Sequence, residues 1–273
     1  MLGSLLLAIA LTGSPTVSTP SLEAIEHETT ALFDRVAPSV VLIETPDGFG
    51  SGFFVSPLGH ILTNRHVVDS RRQVKVRLLD GRRLVGKVVA RGTAGVDLAV
   101  VKVSAKRTPA LSFASTRSLR IGRWAGSVGH GRGGTWTLTT GMVSNAHGSR
   151  ERGVLQTQIP LNPGASGGPV FDRRGRVIGI VASGLIDSDA INFAITPETA
   201  LASLPMLCPL TNCLTVHAPE GASIFVEGNR VGTGPAVSLV AEPGRYRVEV
   251  DSKGRRRERT VSFPAVRSVS FTK

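Results

Sequence analysis

The chain has 273 residues and a mass of 28.7 kDa, with 41% hydrophobic and 19% charged residues. This composition can form a buried core, which excludes a disordered chain, and the 31 glycines follow no three-residue period, which excludes collagen. The length accommodates one large domain or two smaller ones.

The formal net charge is +12, from 32 Lys and Arg against 20 Asp and Glu. The basic residues are scattered, and their dense run is Arg255, Arg256, Arg257 and Arg259. Because only 5% of the residues are aromatic, a stacking platform for nucleic-acid bases is hard to build. We therefore predict no specific nucleic-acid partner, and we expect the basic surface to attract anionic lipid, cell wall or acidic proteins by Coulomb forces.

Residues 5–11 form an aliphatic run that is too short to cross a bilayer, which needs about 20 apolar residues. Its length suits the hydrophobic region of a secretory signal, although no basic residue precedes it and no A-x-A cleavage site follows it. We predict that residues 1–20 are a leader and that the protein is extracytoplasmic: periplasmic, secreted or associated with the cell envelope. The alternatives are a frayed N-terminus and a start codon assigned too late.

Apolar residues at helical spacing predict an amphipathic helix over residues 21–35, which stops before Pro38. Short β-branched segments bounded by turn residues follow, which is typical of an all-β sandwich or barrel. These predicted strands lie at 40–43, 52–55, 60–62, 74–78, 84–89, 98–103, 135–140, 153–158, 168–171, 177–182 and 191–195. They indicate two β-rich halves, split at the glycine-rich segment 122–134, with a closing helix at 197–204.

Cys208 and Cys213 flank a tight loop in residues 206–213, which we predict to be a linker. In an oxidising compartment the two thiols would pair as a local disulfide. The alternative is two free thiols, since the spacing C-x4-C is a poor metal signature and predicts no metal site. Further strands are predicted at 214–216, 222–226, 236–240, 245–250 and 259–263, which form a small antiparallel β-sandwich over residues 214–273.

Ser166 lies in the glycine-rich segment 162–169 and is the candidate nucleophile. Flanking glycines let the backbone turn so that amide N–H groups converge beside the hydroxyl, where they stabilise an oxyanion; an ordinary hairpin is the alternative. The pattern G-x-S-x-G also marks the α/β-hydrolase elbow, which requires a histidine after the serine. The histidine that follows Ser166 is His217, which falls in the predicted C-terminal domain, so the elbow is disfavoured.

His66 and Asp97 precede Ser166 in the order of the chymotrypsin triad, at spacings of 31 and 69 residues. His66 follows an apolar strand, and Asp97 lies at the mouth of another, where a carboxylate needs a hydrogen bond that His66 can donate. A core histidine and a turn aspartate are the alternatives for each residue alone. Together, the three residues predict a catalytic site in the cleft between the two β-rich halves.

Residues from about 30 to 200 resemble a trypsin-like serine protease of the HtrA (Deg) type. The resemblance rests on the blocks at residues 50–55, 62–68, 97–100, 162–170 and 192–195. It implies a chymotrypsin-like double β-barrel over residues 21–205 that hydrolyses peptide bonds of exported or misfolded proteins, with polypeptides as partners and without a cofactor or metal. Two residues depart from the family pattern: Arg65 replaces a small residue, and Ala165 replaces a frequent Asn.

The resemblance also implies a role for each site residue. Ser166 attacks the carbonyl carbon, His66 takes and returns the proton, and Asp97 orients His66. The N–H groups of Gly164 and Ser166 form the oxyanion hole. A catalytically silent, chaperone-like protein that binds surfaces through its C-terminal domain is the alternative function.

The predicted substrate-binding residues lie on either side of the serine. They are Pro160, Leu161, Ala182, Ser183 and Gly184. None of them is an acid that could hold Lys or Arg, so a small or medium apolar residue is expected at P1.

Residues 214–273 resemble a PEGA domain, a β module of surface and exported bacterial proteins. The resemblance rests on Pro219-Glu220-Gly221-Ala222 and on the Gly-bounded hairpins, including residues 242–246. It implies an extracytoplasmic location, and a cell-envelope or anionic surface ligand for this domain is an expectation that the arginine run fits. A solvated basic face fits the same run equally well.

Overall fold

The computed structural model describes residues 21–93, 95–117, 119–131, 135–145, 153–182 and 192–272. The predicted leader, residues 1–20, lies outside these ranges. Within them, no helix combines the length and the apolar character that crossing a membrane requires.

Helix α1, Leu22–Val36, lies where the sequence predicts a helix. The Ser21 hydroxyl caps its first turn by accepting a hydrogen bond from the Ala24 N–H at 3.2 Å. Near its end, Leu32 and Val36 are buried in an apolar cluster shared with both barrels. A single 3-10 turn, Ala37–Ser39, then leads into the first strand.

Six antiparallel strands close the first barrel in the order β1-β2-β3-β6-β5-β4. Their bounds are Val40–Thr45 (β1), Gly48–Phe54 (β2), His60–Thr63 (β3), Gln73–Arg77 (β4), Arg83–Arg91 (β5) and Ala99–Val103 (β6). A short helix, α2 (Arg65–Val68), follows β3. Buried apolar side chains such as Ile43, Ile61 and Val101 fill the interior, as expected for a small barrel.

Six more strands close the second barrel in the order β10-β11-β12-β9-β8-β7. Their bounds are Trp124–Gly131 (β7), Thr135–Asn145 (β8), Val154–Thr157 (β9), Pro169–Phe171 (β10), Val177–Ala182 (β11) and Asn192–Ile195 (β12). A shared apolar cluster joins the barrels, with Phe53 from the first and Phe171 from the second. The predicted chymotrypsin-like double β-barrel is confirmed.

The prediction that residues 122–134 merely separate the two halves is wrong, because strand β7 occupies most of that segment. Its glycines serve close packing. A Cβ added at Gly126 would lie 2.8 Å from a ring carbon of Phe171, and one at Gly129 would lie 3.2 Å from the Cα of Ala165. Glycine is required here because residues that are distant in sequence pack closely against the backbone of β7. The glycine-rich composition therefore predicts a boundary between the two halves where the structure has a strand.

Helix α3 (Pro197–Ser203) and a 3-10 helix (Pro205–Leu210) follow the second barrel, and a disulfide joins Cys208 to Cys213. The remaining strands are Cys213–His217 (β13), Ser223–Val226 (β14), Asn229–Thr233 (β15), Ala236–Val240 (β16), Gly244–Ser252 (β17), Arg255–Phe263 (β18) and Ser268–Ser270 (β19). Two sheets, β16-β13-β19 and β15-β14-β17-β18, enclose an apolar cluster of their own.

The C-terminal sheets differ from the predicted antiparallel sandwich in one pairing, because β19 runs parallel to β13. Strands β15 and β19 were not predicted from the sequence. Strand β15 lies between two glycine turns and contains Gly232, so its residues have the composition of a turn. Strand β19 has only three residues, which is too few for a periodic pattern.

The C-terminal sheets are anchored to the second barrel through Asn212. Its amide nitrogen donates to the carbonyl oxygens of Phe113 (2.8 Å) and Ala241 (3.1 Å), and its Oδ1 accepts from the Phe113 N–H (2.8 Å). Arg176 adds an ionic link, since it donates to both Asp172 and Glu242. The segment around Phe113 pairs in turn with strand β11.

Candidate active site

His66 and Asp97 form a doubly hydrogen-bonded pair in the first barrel. The Nδ1 of His66 lies 2.6 Å from Asp97 Oδ2, and the His66 backbone N–H donates to Asp97 Oδ1 at 2.9 Å. Asn64, at the end of β3, donates from its side chain to the Asp97 carbonyl oxygen at 2.8 Å. The segments carrying the histidine and the aspartate are therefore fixed to each other at both backbone and side-chain level.

Two opposing effects act on the Asp97 carboxyl. Burial raises the pKa of Asp97, but the hydrogen bonds from the His66 side chain and backbone, together with the positive charge of His66 when it is protonated, lower it by more. The net pKa lies below its ordinary value, so Asp97 is a carboxylate at neutral pH. A carboxylate only accepts hydrogen bonds, so His66 carries a proton on Nδ1. This leaves Nε2 as the atom that can accept a proton.

Ser166 lies in the loop between β9 and β10, and this loop is docked on the first barrel. The N–H of Ser51, in strand β2, donates to the Ser166 carbonyl oxygen at 2.8 Å. The Gly167 N–H donates to the carbonyl oxygen of Val181, which ties the loop to its own barrel, at 3.0 Å. A Cβ added at Gly50 would lie 2.6 Å from the side chain of Val67 and 3.3 Å from the Ser166 carbonyl. Val67 directly follows His66, so the serine loop and the histidine helix α2 both pack on Gly50.

The backbone of the serine loop has a conformation that requires glycine. Gly164 has φ = +99°, and a Cβ there would overlap the carbonyl oxygen of His130. The Ala165 N–H donates to the Asn162 carbonyl at 3.0 Å. Among the described residues, the N–H groups of Gly164 and Ser166 donate to no backbone carbonyl.

A cavity of about 370 Å³ opens beside Ser166. It is lined by Leu161, Asn162, Pro163, Gly164, Ser166, Val181, Ala182 and Asn192. Of the predicted substrate-binding residues, Leu161 and Ala182 line this cavity, whereas Pro160 is exposed outside it, and Ser183 and Gly184 lie outside the described residues. No described lining residue is charged.

Sequence reasoning missed Asn192 as a wall of this cavity. The Asn192 amide donates to the Ile159 carbonyl oxygen at 2.8 Å and so ties β12 to the segment before the serine loop. Asn192 belongs to a block that the family resemblance uses, so the resemblance alone was a signal for this position.

A second cavity of about 320 Å³ lies beside His66. It is lined by Thr45, Asp47, Gly48, Phe49, His66, Val67, Asp69 and Arg71. Arg71 forms ion pairs with Asp47 and, at 3.5 Å, with Asp69. The sequence offered no signal for this cavity, because its residues come from the β1–β2 turn and from α2 and the loop after it. Among the described residues, no group of three or more His, Cys, Asp or Glu could hold a metal ion.

The structure combines a double β-barrel, a His–Asp pair on one barrel and a glycine-flanked serine loop on the other. This combination defines the class of trypsin-like peptidases. Residues 50–180 match the family described as trypsin-like peptidase domain. The chain also matches the solved structure of Deg5, with 33% identity and a TM-score of 0.58, covering 68% of this chain and 96% of that one. The protein belongs to the trypsin-like serine proteases of the HtrA (Deg) type, and the resemblance found in residues from about 30 to 200 is confirmed.

Two curated relatives each match a little over half of the chain. HhoB of Synechocystis sp., named as a serine protease, is 40% identical over 56% of this chain and 38% of its own length. A protein of Hahella chejuensis, named as a DegP-like periplasmic serine endoprotease, is 40% identical over 56% of this chain and 34% of its own length. The chain therefore spans little more than a third of the length of these relatives.

Proposed function

We propose that the chain is a serine endopeptidase whose triad is His66, Asp97 and Ser166. The observation that carries the proposal is the His66–Asp97 pair, with Nδ1 and Oδ2 2.6 Å apart, on the segment against which the Ser166 loop packs. A relay of this kind needs a base held in one tautomer beside a hydroxyl and free N–H groups near that hydroxyl. The His66–Asp97 pair supports the first requirement, and the packing of the Ser166 carbonyl and of Val67 on Gly50 supports placing the serine near the histidine.

In this mechanism Ser166 Oγ attacks the carbonyl carbon of the scissile peptide bond as His66 Nε2 takes its proton. The carbonyl oxygen becomes an oxyanion, which the N–H groups of Gly164 and Ser166 stabilise. His66 then gives the proton to the leaving amine, and a water molecule, activated by the same imidazole, hydrolyses the acyl-enzyme. Asp97 stabilises the imidazolium at each stage.

We propose that the P1 residue of the substrate is small or medium-sized and apolar. The cavity beside Ser166 supports this choice, since Leu161, Val181 and Ala182 line it and none of its described lining residues is charged. The proposed substrates are exported or misfolded polypeptides, and the proposed location is extracytoplasmic. Both proposals are supported by relatives named as periplasmic endoproteases.

We further propose that residues 214–273 form a PEGA-like module that associates with an anionic surface. The support is the exposed strand β18, which forms the edge of its sheet and carries Arg255 and Arg259. Co-sedimentation with phosphatidylglycerol vesicles tests this association, which should weaken in Arg255→Gln/Arg259→Gln. It should weaken less in the equally charged control Arg83→Gln/Arg120→Gln, whose arginines are exposed on the protease domain.

The triad is tested by covalent labelling with a fluorophosphonate probe, which reacts with activated serines. Wild type is expected to label and to cleave an unfolded protein substrate, whereas Ser166→Ala and His66→Ala do neither. The matched control Ser262→Ala, on an exposed position of β18, should label like wild type. A wild-type protein that never labels would contradict the proposal and favour the chaperone-like, surface-binding function.

A further inference from the structure

A second serine and a second histidine lie buried behind the loop that carries Ser166. Ser51 and His130 are both 0% exposed. Ser51 Oγ lies 2.7 Å from the Gly164 carbonyl oxygen and 3.0 Å from His130 Nδ1. The His130 backbone N–H also donates to Ser51 Oγ, at 3.0 Å. Strand β2 of the first barrel and strand β7 of the second thus meet at one hydroxyl, directly behind Gly164.

The proton positions in this cluster follow from its distances. The Gly164 carbonyl can only accept, so a 2.7 Å contact with Ser51 Oγ requires that the hydroxyl proton points at it. Ser51 Oγ then accepts from His130, whose Nδ1 must carry the proton. Burial, and after it the charge of Arg77, lower the pKa of His130 to about 4, so at neutral pH the ring has only this one proton.

The histidine is held firmly in this orientation. Its ring packs edge-on against Trp136, with centroids 4.4 Å apart, and the Trp136 Nε1–H donates to the Val40 carbonyl oxygen at 3.0 Å. The other ring nitrogen, His130 Nε2, is buried and has no hydrogen-bond partner among the described residues. A buried ring nitrogen without a hydrogen-bond partner, such as Nε2 here, lowers the stability of the protein. The presence of histidine at this position despite that cost favours a role for Nδ1, which is hydrogen-bonded.

The Gly164 carbonyl, which accepts from Ser51 Oγ, lies in the part of the serine loop that would form the oxyanion hole. It belongs to the peptide that joins Gly164 to Ala165, which lies between the two peptides whose N–H groups would bind the oxyanion. Gly164 has no Cβ to restrict its rotation and adopts φ = +99°, so its backbone turns easily unless something holds it. Two hydrogen bonds restrain this peptide: its Ala165 N–H donates to Asn162 within the loop, and its Gly164 carbonyl accepts from Ser51 Oγ, which ties it to the first barrel.

We propose that Ser51 and His130 are positioning residues that hold the Gly164 peptide so that the N–H groups of Gly164 and Ser166 stay aimed at the oxyanion. Ser51 donates to the Gly164 carbonyl, and His130 holds the Ser51 hydroxyl in the donating orientation. Neither residue touches the substrate. This inference rests on the proposed endopeptidase function.

Three variants test the proposal by their effect on kcat and KM for a peptide substrate. Removing an oxyanion donor outright lowers kcat by about 10²- to 10³-fold, so a donor that is only misaligned should cost between about 10- and 100-fold. We expect this loss of kcat, with KM changed less than about threefold, in Ser51→Ala and in His130→Phe. His130→Asn keeps an N–H donor near the position of Nδ1 and should keep kcat within about fivefold of wild type.

The controls separate positioning from folding and from the proposed function itself. Each rate is divided by the concentration of active sites, titrated with the fluorophosphonate probe, so that unfolded protein does not count. If Ser51→Ala does not fold, the pair His130→Phe and His130→Asn carries the test alone. The double variant Ser51→Ala/His130→Phe should be no slower than the slower single variant, because both act through one hydrogen bond.

The outcomes are distinct. A wild-type kcat per active site in both Ser51→Ala and His130→Phe would overturn the positioning role while leaving the endopeptidase intact. Equal losses in His130→Asn and His130→Phe would overturn the role assigned to the Nδ1 proton. A wild-type protein that neither labels nor cleaves, or a Ser166→Ala variant that still cleaves, would overturn the endopeptidase proposal and this inference with it.

Discussion

At the scale of single residues, the protein uses two histidines in opposite ways. His66 is exposed at the groove and has its Nδ1 bonded to a carboxylate, which supports proton transfer. His130 is fully buried and has its Nδ1 bonded to a neutral hydroxyl, which supports only orientation. The partner of each ring, more than the histidine itself, determines its chemistry.

The replacement Asp97→Asn should abolish most of the activity without disturbing the fold. An Asn amide donates to His66 Nδ1 in place of accepting from it, so the ring proton moves to Nε2 and the base can no longer accept the Ser166 proton. We expect kcat to fall by about 10³- to 10⁴-fold at neutral pH. Asp80→Asn is the control, since Asp80 only accepts from Arg82 in an exposed turn, and its kcat should match wild type. Equal kcat values in the two variants would contradict the role of Asp97.

His130 should make the folded protein sensitive to acid. Its pKa is about 4 when folded against 6.5 for the free side chain, so below pH 6.5 the unfolded chain binds a proton that the folded chain does not. The contribution of neutral His130 to the free energy of unfolding is therefore fully present above pH 6.5. It is lost as the pH falls towards 4. We expect it to amount to about 3 kcal/mol between pH 7.5 and pH 4. Urea unfolding of wild type and His130→Phe at these two pH values measures it.

In His130→Phe the loss of stability over the same pH range should be smaller by that amount, because Phe does not titrate. An identical pH dependence in the two proteins would show that His130 is not the group responsible. Acid sensitivity from carboxylates such as Asp97 is present in both proteins and cancels in the comparison.

The candidate catalytic residues could be predicted from the sequence, whereas the residues behind them could not. His66, Asp97 and Ser166 follow an order that has a chemical meaning, and each has a recognisable flanking pattern. Ser51 and His130 are 79 residues apart, and what they hold is a backbone carbonyl, which any residue possesses. No composition or spacing rule reports such a contact.

At the scale of elements, strand β7 explains where sequence patterns fail. The apolar runs elsewhere in both barrels coincide with strands because side chains fill the barrel interior. Next to β7, residues from other segments pack directly against the glycine backbone. The Phe171 ring, for example, occupies the space that a side chain at Gly126 would need. The strand therefore carries glycine where the prediction rules expect β-branched residues.

Substitution at two glycines of β7 tests this explanation. A Cβ at Gly126 would lie 2.7 Å from Trp124 and 2.8 Å from Phe171, so Gly126→Ala should lower the free energy of unfolding by about 1–3 kcal/mol. A Cβ at Gly131 would have no described neighbour closer than 3.7 Å, so Gly131→Ala should change the free energy of unfolding by less than about 0.5 kcal/mol. Equal effects in urea unfolding would mean that backbone freedom, and not close packing, decides the use of glycine in β7.

At the scale of the whole molecule, the C-terminal sheets and the second barrel are joined by buried polar contacts. Asn212 satisfies the N–H and C=O of Phe113 and the C=O of Ala241, as a neighbouring strand would. Val240 of β16 joins the apolar cluster shared by the two barrels. The sequence indicated a linker here because Asn212 and Phe113 are 99 residues apart, and a contact of that range leaves no local pattern.

The contacts of Asn212 should make the barrels and the C-terminal sheets unfold together. Trp124 and Trp136 report on the second barrel, while Tyr246, the sole tyrosine, reports on the C-terminal sheets. In wild type, tryptophan fluorescence and tyrosine absorbance should give one coincident urea transition.

Asn212→Ala leaves buried Phe113 groups unpaired, so its two transitions should separate, and the free energy of unfolding of the barrel should fall by about 2–3 kcal/mol. Asn229→Ala, at the exposed start of β15, should behave like wild type. Coincident, unshifted transitions in Asn212→Ala would show that the shared apolar cluster and the Arg176 ion pairs couple the two parts without Asn212.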